Sequence, residues 1–153
     1  MPLSDDDRIA LDVYNKLYSE HATQARHHDT LRATVSGLVA AAIGGLLGFS
    51  KSATYATHVG WVILALSTLG ALLSLKHYER SSLHTRMQIS FSDQIDAILL
   101  KSGFPVQSVF LEARKIHRSR FPLLNRLRLY LLWMVIFFLL GGVGLYIVFG
   151  EGK

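Results

Sequence analysis

The chain carries seven histidines in 153 residues, and four of them form two pairs one heptad apart, His21/His28 and His77/His84. Seven residues are close to two helical turns, so the members of each pair share a helix face. If two such helices pack together, four imidazoles can meet, and Glu79 can add a carboxylate. Three outcomes are compatible with that pattern: metal coordination through ring nitrogen, interface contacts that respond to pH, or ordinary polar packing and solvent exposure. A heptad pair is not a ligand motif of the HxxxH kind, so the spacing predicts no metal and no cofactor. Cysteine is absent, which removes disulfides, thiolate ligands and a cysteine nucleophile. There is no GxSxG, Walker loop or HExxH, and no carboxylate pair inside an apolar run. The expectation is a protein that is not an enzyme.

The elements that carry these histidines are unusually apolar. Half the residues are hydrophobic and 18% are charged, against roughly 25% charged in an average soluble domain. Three windows contain no Asp, Glu, Lys or Arg: Ala33–Ser50, Ser52–Leu75 and Leu129–Gly150. Their apolar cores, Ala33–Phe49, Val59–Leu75 and Leu129–Phe149, hold 17, 17 and 21 residues. A spanning helix needs about 20 residues, with a range of about 17 to 25. The two shorter runs can be completed by snorkelling of Arg32, Lys51 and Lys76. A chain this short cannot bury three such segments inside a water-soluble shell. The predicted fold is an all-α integral membrane protein with three transmembrane helices and cytosolic helical extensions.

The basic residues orient it. Four precede the first run, ten lie between the second and third runs, one sits in the loop after the first run and one in the tail. The positive-inside rule therefore predicts a cytoplasmic N-terminus, a cytoplasmic middle segment and an external C-terminus. Residues 1–32 form a cytosolic amphipathic helix and 33–75 a transmembrane hairpin. Residues 76–128 form a cytosolic helical region, 129–149 the third span and 150–153 an external tail. The positive net charge of +5 reports this topology, and no direct nucleic-acid binding is expected.

Local signals fill in the extensions. Ser4 can cap a helix whose first turn holds Asp5, Asp6 and Asp7. Ile9, Val13 and Leu17, with Ala10, Tyr14 and Tyr18 beside them, predict an apolar stripe that runs on into the first span. The juxtamembrane stretch His77, Tyr78, Glu79, Arg80 and His84 leaves the second span without a breaker. Leu83, Met87, Phe91, Ile95 and Leu99 then form a row at four-residue spacing, predicted to pack against another helix as a cytosolic interaction ridge. Gly103 suits the terminus of that helix, and Pro105 opens a short amphipathic helix containing Val106, Val109, Phe110 and Ala113. Pro122 opens the third span.

The first span holds a row of small residues, Ala33, Gly37, Ala41 and Gly45, with Gly44 and Gly48 on the next ridge. The second span offers Ser67/Ala71 and Gly70/Ser74. Such rows let helices approach closely in lipid. They serve either tight packing within one chain or assembly of several. The spans contain no ionisable group, which argues against coupled transport.

The order of elements resembles the SLATT class of small bacterial membrane effectors. The resemblance covers roughly residues 12–100 and rests on Tyr14, Tyr18, His21, Arg26 and Arg32 before the first span. After the second span it rests on Tyr78, Glu79, Arg80 and His84. The third apolar run is additional to that family's two-span plan. The resemblance implies an oligomeric inner-membrane effector, pore-forming or membrane-disrupting, that works in antiviral defence. Its trigger would come from a cytosolic partner protein that senses nucleotides or nucleic acid. The alternative is a non-conducting adaptor that recruits a soluble protein to membrane lipid.

Overall fold

The computed structural model describes residues 3–49, 56–104, 106–121 and 129–150. Lys51, Pro105, Pro122 and Lys153, and the side chains of Val106, Val109 and Phe110, lie outside what is described. Four helices follow in order: α1 (Asp5–Phe49), α2 (Ala56–Lys101), α3 (Val106–Arg120) and α4 (Leu129–Gly150). No strand occurs among the described residues. Helices α1, α2 and α4 are each long and apolar enough to cross a membrane, with mean hydropathy of 1.5, 1.8 and 2.5 in their best windows. Between 17% and 33% of those windows is buried within the chain. Most of their apolar surface therefore faces outward, as expected where lipid rather than water is the solvent.

Both long helices have ends set by side-chain chemistry. Ser4 Oγ accepts a hydrogen bond from the Asp7 backbone N–H at 3.1 Å and donates to Asp7 Oδ2 at 2.8 Å. This satisfies one orphan donor of the first turn and holds a carboxylate against the positive end of the helix. α2 stops in a Schellman turn. Gly103 adopts φ +82°, its N–H bonds to the Leu100 carbonyl at 3.0 Å, and the Phe104 N–H reaches the Leu99 carbonyl at 3.1 Å. Only a residue without Cβ adopts that backbone at no steric cost. Neither long helix contains proline, so α1 and α2 run without interruption.

The chain divides into two units, Met1–His27 with Arg80–Leu127, and His28–Glu79 with Arg128–Lys153. α1 and α2 contribute to both. In the first, polar unit, Tyr14 faces Phe91 with ring centroids 6.2 Å apart, and His21 faces His84. The two contacts are seven residues apart on each helix, so α1 and α2 pair as an antiparallel heptad seam. Ala22, Ala25, Ser81 and Ile98 are buried there. Lys101 Nζ bonds Asp7 Oδ1 at 2.9 Å.

That seam shows which residues of two expected rows are covered within the chain. Ile9 and Val13 are 65% and 48% exposed, while Ala10, Tyr14, Leu17 and Tyr18 of the expected stripe are partly covered and the inward face continues through His21 and Ala25. On α2, Leu83 and Met87 are exposed, while Phe91, Ile95 and Leu99 are partly covered. The reason is angular. At about 100° per residue, a row in steps of four drifts by about 40° each step, whereas a heptad drifts by about 20°. The four-residue ridge winds off the interface and the heptad row stays on it.

In the second, apolar unit, Ile43, Ala56, Ile63 and Ile147 form a core, packed by Val39, Leu46, Leu47, Val59, Leu66 and Leu140. α2 and α4 meet through glycine. A Cβ on Gly144 would lie 2.9 Å from the Gly60 carbonyl oxygen and 3.1 Å from the Leu64 nitrogen. Both neighbours are backbone and cannot yield. A Cβ on Gly70 would overlap the buried Phe137 ring.

Two predictions follow from these contacts. Gly144→Val should separate α4 from α2 and cost about 1–3 kcal/mol, read as loss of thermal stability in detergent. Gly142→Val, where no atom lies within 4 Å of an added Cβ, should be neutral. The hydrogen bond from Lys101, then that from Ser4, hold the Asp7 carboxyl below its ordinary value of 3.8. That contribution is complete above pH 3.8 and is lost as pH falls through the lowered folded value. A carbon-13 titration should place the Asp7 midpoint below 3.8, and Lys101→Ala should raise it.

Candidate functional site

The heptad seam between α1 and α2 is where the chemistry of the sequence collects, and each unit holds its own part of it. In the polar unit, His21 Nδ1 and His84 Nδ1 lie 3.0 Å apart, and the His21 ring stacks on Phe91 at 4° with centroids 5.6 Å apart. In the apolar unit, His28 Nδ1 and His77 Nδ1 lie 3.4 Å apart. The four imidazoles thus meet two by two, with one ring from each helix. Each contact needs one ring as donor and the other as acceptor. The shorter one falls inside the usual hydrogen-bond range of about 2.7–3.2 Å and the longer one outside it. The Glu79 carboxylate holds Lys76. No group of three or more His, Asp or Glu with metal-binding geometry occurs among the described residues.

Below His28 in the apolar unit, the seam turns polar without turning outward. Arg32 was expected to snorkel, yet its side chain is 6% exposed. Its guanidinium bonds Asp29 Oδ1 through Nη2 at 3.1 Å and stands 5.9 Å above the Tyr78 ring. Tyr78 in turn stacks on Tyr130 of α4 at 4.0 Å. A cation hidden this way is tolerable because the carboxylate and the ring replace part of its hydration. Ser36, Ser67 and Ser74 are buried as well. The Arg32 Nε, all three hydroxyls and the Trp133 indole nitrogen have no hydrogen-bond partner among the described residues.

These residues were missed by motif reading because serine and glycine in an apolar run look like packing. The signal was nonetheless present: Gly60, Ser67, Ser74 and Ser81 recur every seven residues, as do Ile63, Gly70, His77, His84 and Phe91. Those are the inward positions of α2, and five of these nine carry a polar side chain.

The small residues of α1 take the opposite side. Ala33, Ala41, Gly44, Gly45 and Gly48 are exposed, and Gly37 is partly so. An added Cβ at Gly37, Gly44, Gly45 or Gly48 would meet nothing within 4 Å. Close packing inside the chain is carried instead by Gly60, Gly70 and Gly144 between α2 and α4. The polar unit exposes its own apolar residues, among them Ile9, Ile89, Leu100, Phe104 and Leu111.

A double-mutant cycle on His21→Ala and His84→Ala should return a coupling of about 0.5–1.5 kcal/mol in unfolding free energy. The same cycle on His28 and His77 should return less, because that contact is longer. No protein-family model matches the chain, and comparison with curated proteins and with solved structures returned no significant match.

Proposed function

We propose that the chain is an oligomeric inner-membrane effector that alters membrane permeability as part of a bacterial antiviral defence system. One observation supports assembly above the others. Among the described residues, an added Cβ at Gly37, Gly44, Gly45 or Gly48 meets nothing within 4 Å and Ala33 and Ala41 are exposed, while Gly60, Gly70 and Gly144 of α2 and α4 are held in close internal contact. In lipid, a bare small-residue face gains dispersion contact when a second helix covers it. The reading makes the exposed apolar residues of the polar unit the docking surface for a cytosolic partner protein that supplies the trigger. The N-terminus is cytoplasmic and the C-terminus external, by the excess of Lys and Arg on the former side. No catalytic chemistry and no cofactor enters this reading.

The exposed Leu100, Phe104 and Leu111, at 65%, 65% and 60%, favour a second reading. A non-conducting adaptor would recruit its soluble partner through the same apolar surface.

Chloride flux in liposomes tests the two. Once activated, the parent should conduct in a density-dependent way, and Gly37→Leu/Ala41→Leu/Gly45→Leu should lower both crosslinked oligomer and flux by about tenfold or more, equivalent to about 1.4 kcal/mol of association. An adaptor leaves the gradient intact at every protein density. A periplasm-active reporter fused after Lys153 should be active, and one inserted near Gly103 should be silent.

A further inference from the structure

The buried serines of the apolar unit behave unlike the other hydroxyl residues of the same helices. Thr23, Thr68 and Thr85 each donate to the carbonyl four residues back, all at 2.9 Å. That back-bond is the usual way for a hydroxyl on an apolar helix to be satisfied locally. Ser36, Ser67 and Ser74, exposed by only 1–3%, make no such bond. Two donor-only groups, Arg32 Nε and Trp133 Nε1, are unpartnered in the same unit. Burying a polar group without a hydrogen bond costs roughly 1–3 kcal/mol by mutational measure, so five in one small bundle call for a common partner.

Their positions are ordered along the helices. Ser74 lies one heptad from Ser67 on α2, and Ser36 one turn from Arg32 on α1. Beyond Ser67 the interior changes character. Ile43 and Ile63 are 0% exposed and Ile147 6%, with Ala56 closing the cluster. Phe137 is buried against Gly70, which lies between Ser74 and Ser67 along α2. One stretch of the bundle interior thus buries unpartnered donors and hydroxyls, and the next buries branched aliphatic side chains. An apolar constriction in series with a polar lining is the arrangement that gates by dewetting.

We propose that the interior of the α1–α2–α4 bundle is an aqueous path, wet from Arg32 to Ser67 and closed by the Ile43–Ile63–Ile147 cluster. The occupant of the wet segment is water, because Arg32 Nε and Trp133 Nε1 need an acceptor, the serine hydroxyls take either role, and the Arg32 charge is already paired with Asp29. The gating part rests on the permeability reading above; the wetness of the segment does not.

The cysteine-free chain makes the test direct. Single variants Ser36→Cys, Ser74→Cys, Leu72→Cys and Ile63→Cys are exposed to a charged, membrane-impermeant thiosulfonate in vesicles with the cytosolic face outward. Serine to cysteine is nearly isosteric, so the seam variants should fold. Ser36→Cys and Ser74→Cys should react at least about tenfold faster than Leu72→Cys, which faces outward at 60% exposure of the native residue, and Ile63→Cys should stay unlabelled. Labelling of Ser74→Cys no faster than that of Leu72→Cys overturns the wet segment and leaves plain small-residue packing. A second arm measures chloride flux through Ile63→Ser in liposomes. Flux about tenfold above the resting parent supports the seal. Rapid labelling at Ser74→Cys with no added flux in Ile63→Ser overturns the seal, and if the activated parent still conducts, the effector reading survives that result.

Discussion

The antiparallel heptad register of α1 on α2 is the constraint from which the other features follow. It brings Tyr14 to Phe91, His21 to His84 and His28 to His77. Within either unit, a shift by one residue would rotate the α1 side chains of that unit by about 100°. The imidazoles would then leave the seam, Arg32 would reach the surface, and the glycines of α1 would turn inward. Register of this kind is specified by a few polar contacts more than by aliphatic ones, because a misplaced leucine still finds apolar neighbours while a misplaced histidine or arginine does not.

The same register explains an inversion of ordinary patterning in the apolar unit. Its outward faces carry Leu69, Leu72, Phe138 and Leu139, all strongly exposed, while Ser36, Ser67, Ser74 and Arg32 are inside. A soluble bundle with that distribution would be unstable, since burial of apolar surface is its main driving force. Where lipid surrounds the bundle, apolar side chains gain little by moving inward, and small or polar residues at helix contacts are favoured instead. The burial pattern and the length of the apolar windows are both compatible with a multi-pass membrane protein.

Glycine has two separate roles here. Gly60 and Gly144 bring backbones of α2 and α4 to within contact that any Cβ would break, whereas a Cβ added at Gly37, Gly44, Gly45 or Gly48 would meet nothing within 4 Å among the described residues. Identical residue types in similar apolar runs thus serve an internal joint in one helix pair and an open face in another. No intrinsic propensity separates them, and helix interiors disfavour both sets by about 1 kcal/mol per glycine relative to alanine.

Helix number, helix ends and the apolar character of three helices were legible in the chain itself. Charge-free runs of sufficient length, Ser4 before three aspartates, and Gly103 at a terminus are local features with local physical causes. The heptad spacing of the histidines was legible too, but not which rings would face which. What needed the tertiary structure was every assignment of a side chain to a face. The four-residue rows were prominent in the sequence, yet Ile9, Val13, Leu83 and Met87 are exposed, and the row on α2 meets α1 at Phe91, which it shares with the less conspicuous heptad row. Arg32 at the edge of an apolar run reads as a residue that reaches for water; only a neighbouring helix, bringing Tyr78 above its guanidinium, keeps it inside. Backbone hydrogen bonding closes within a helix and can be read from one segment, whereas burial is a property of two surfaces and is decided when they meet.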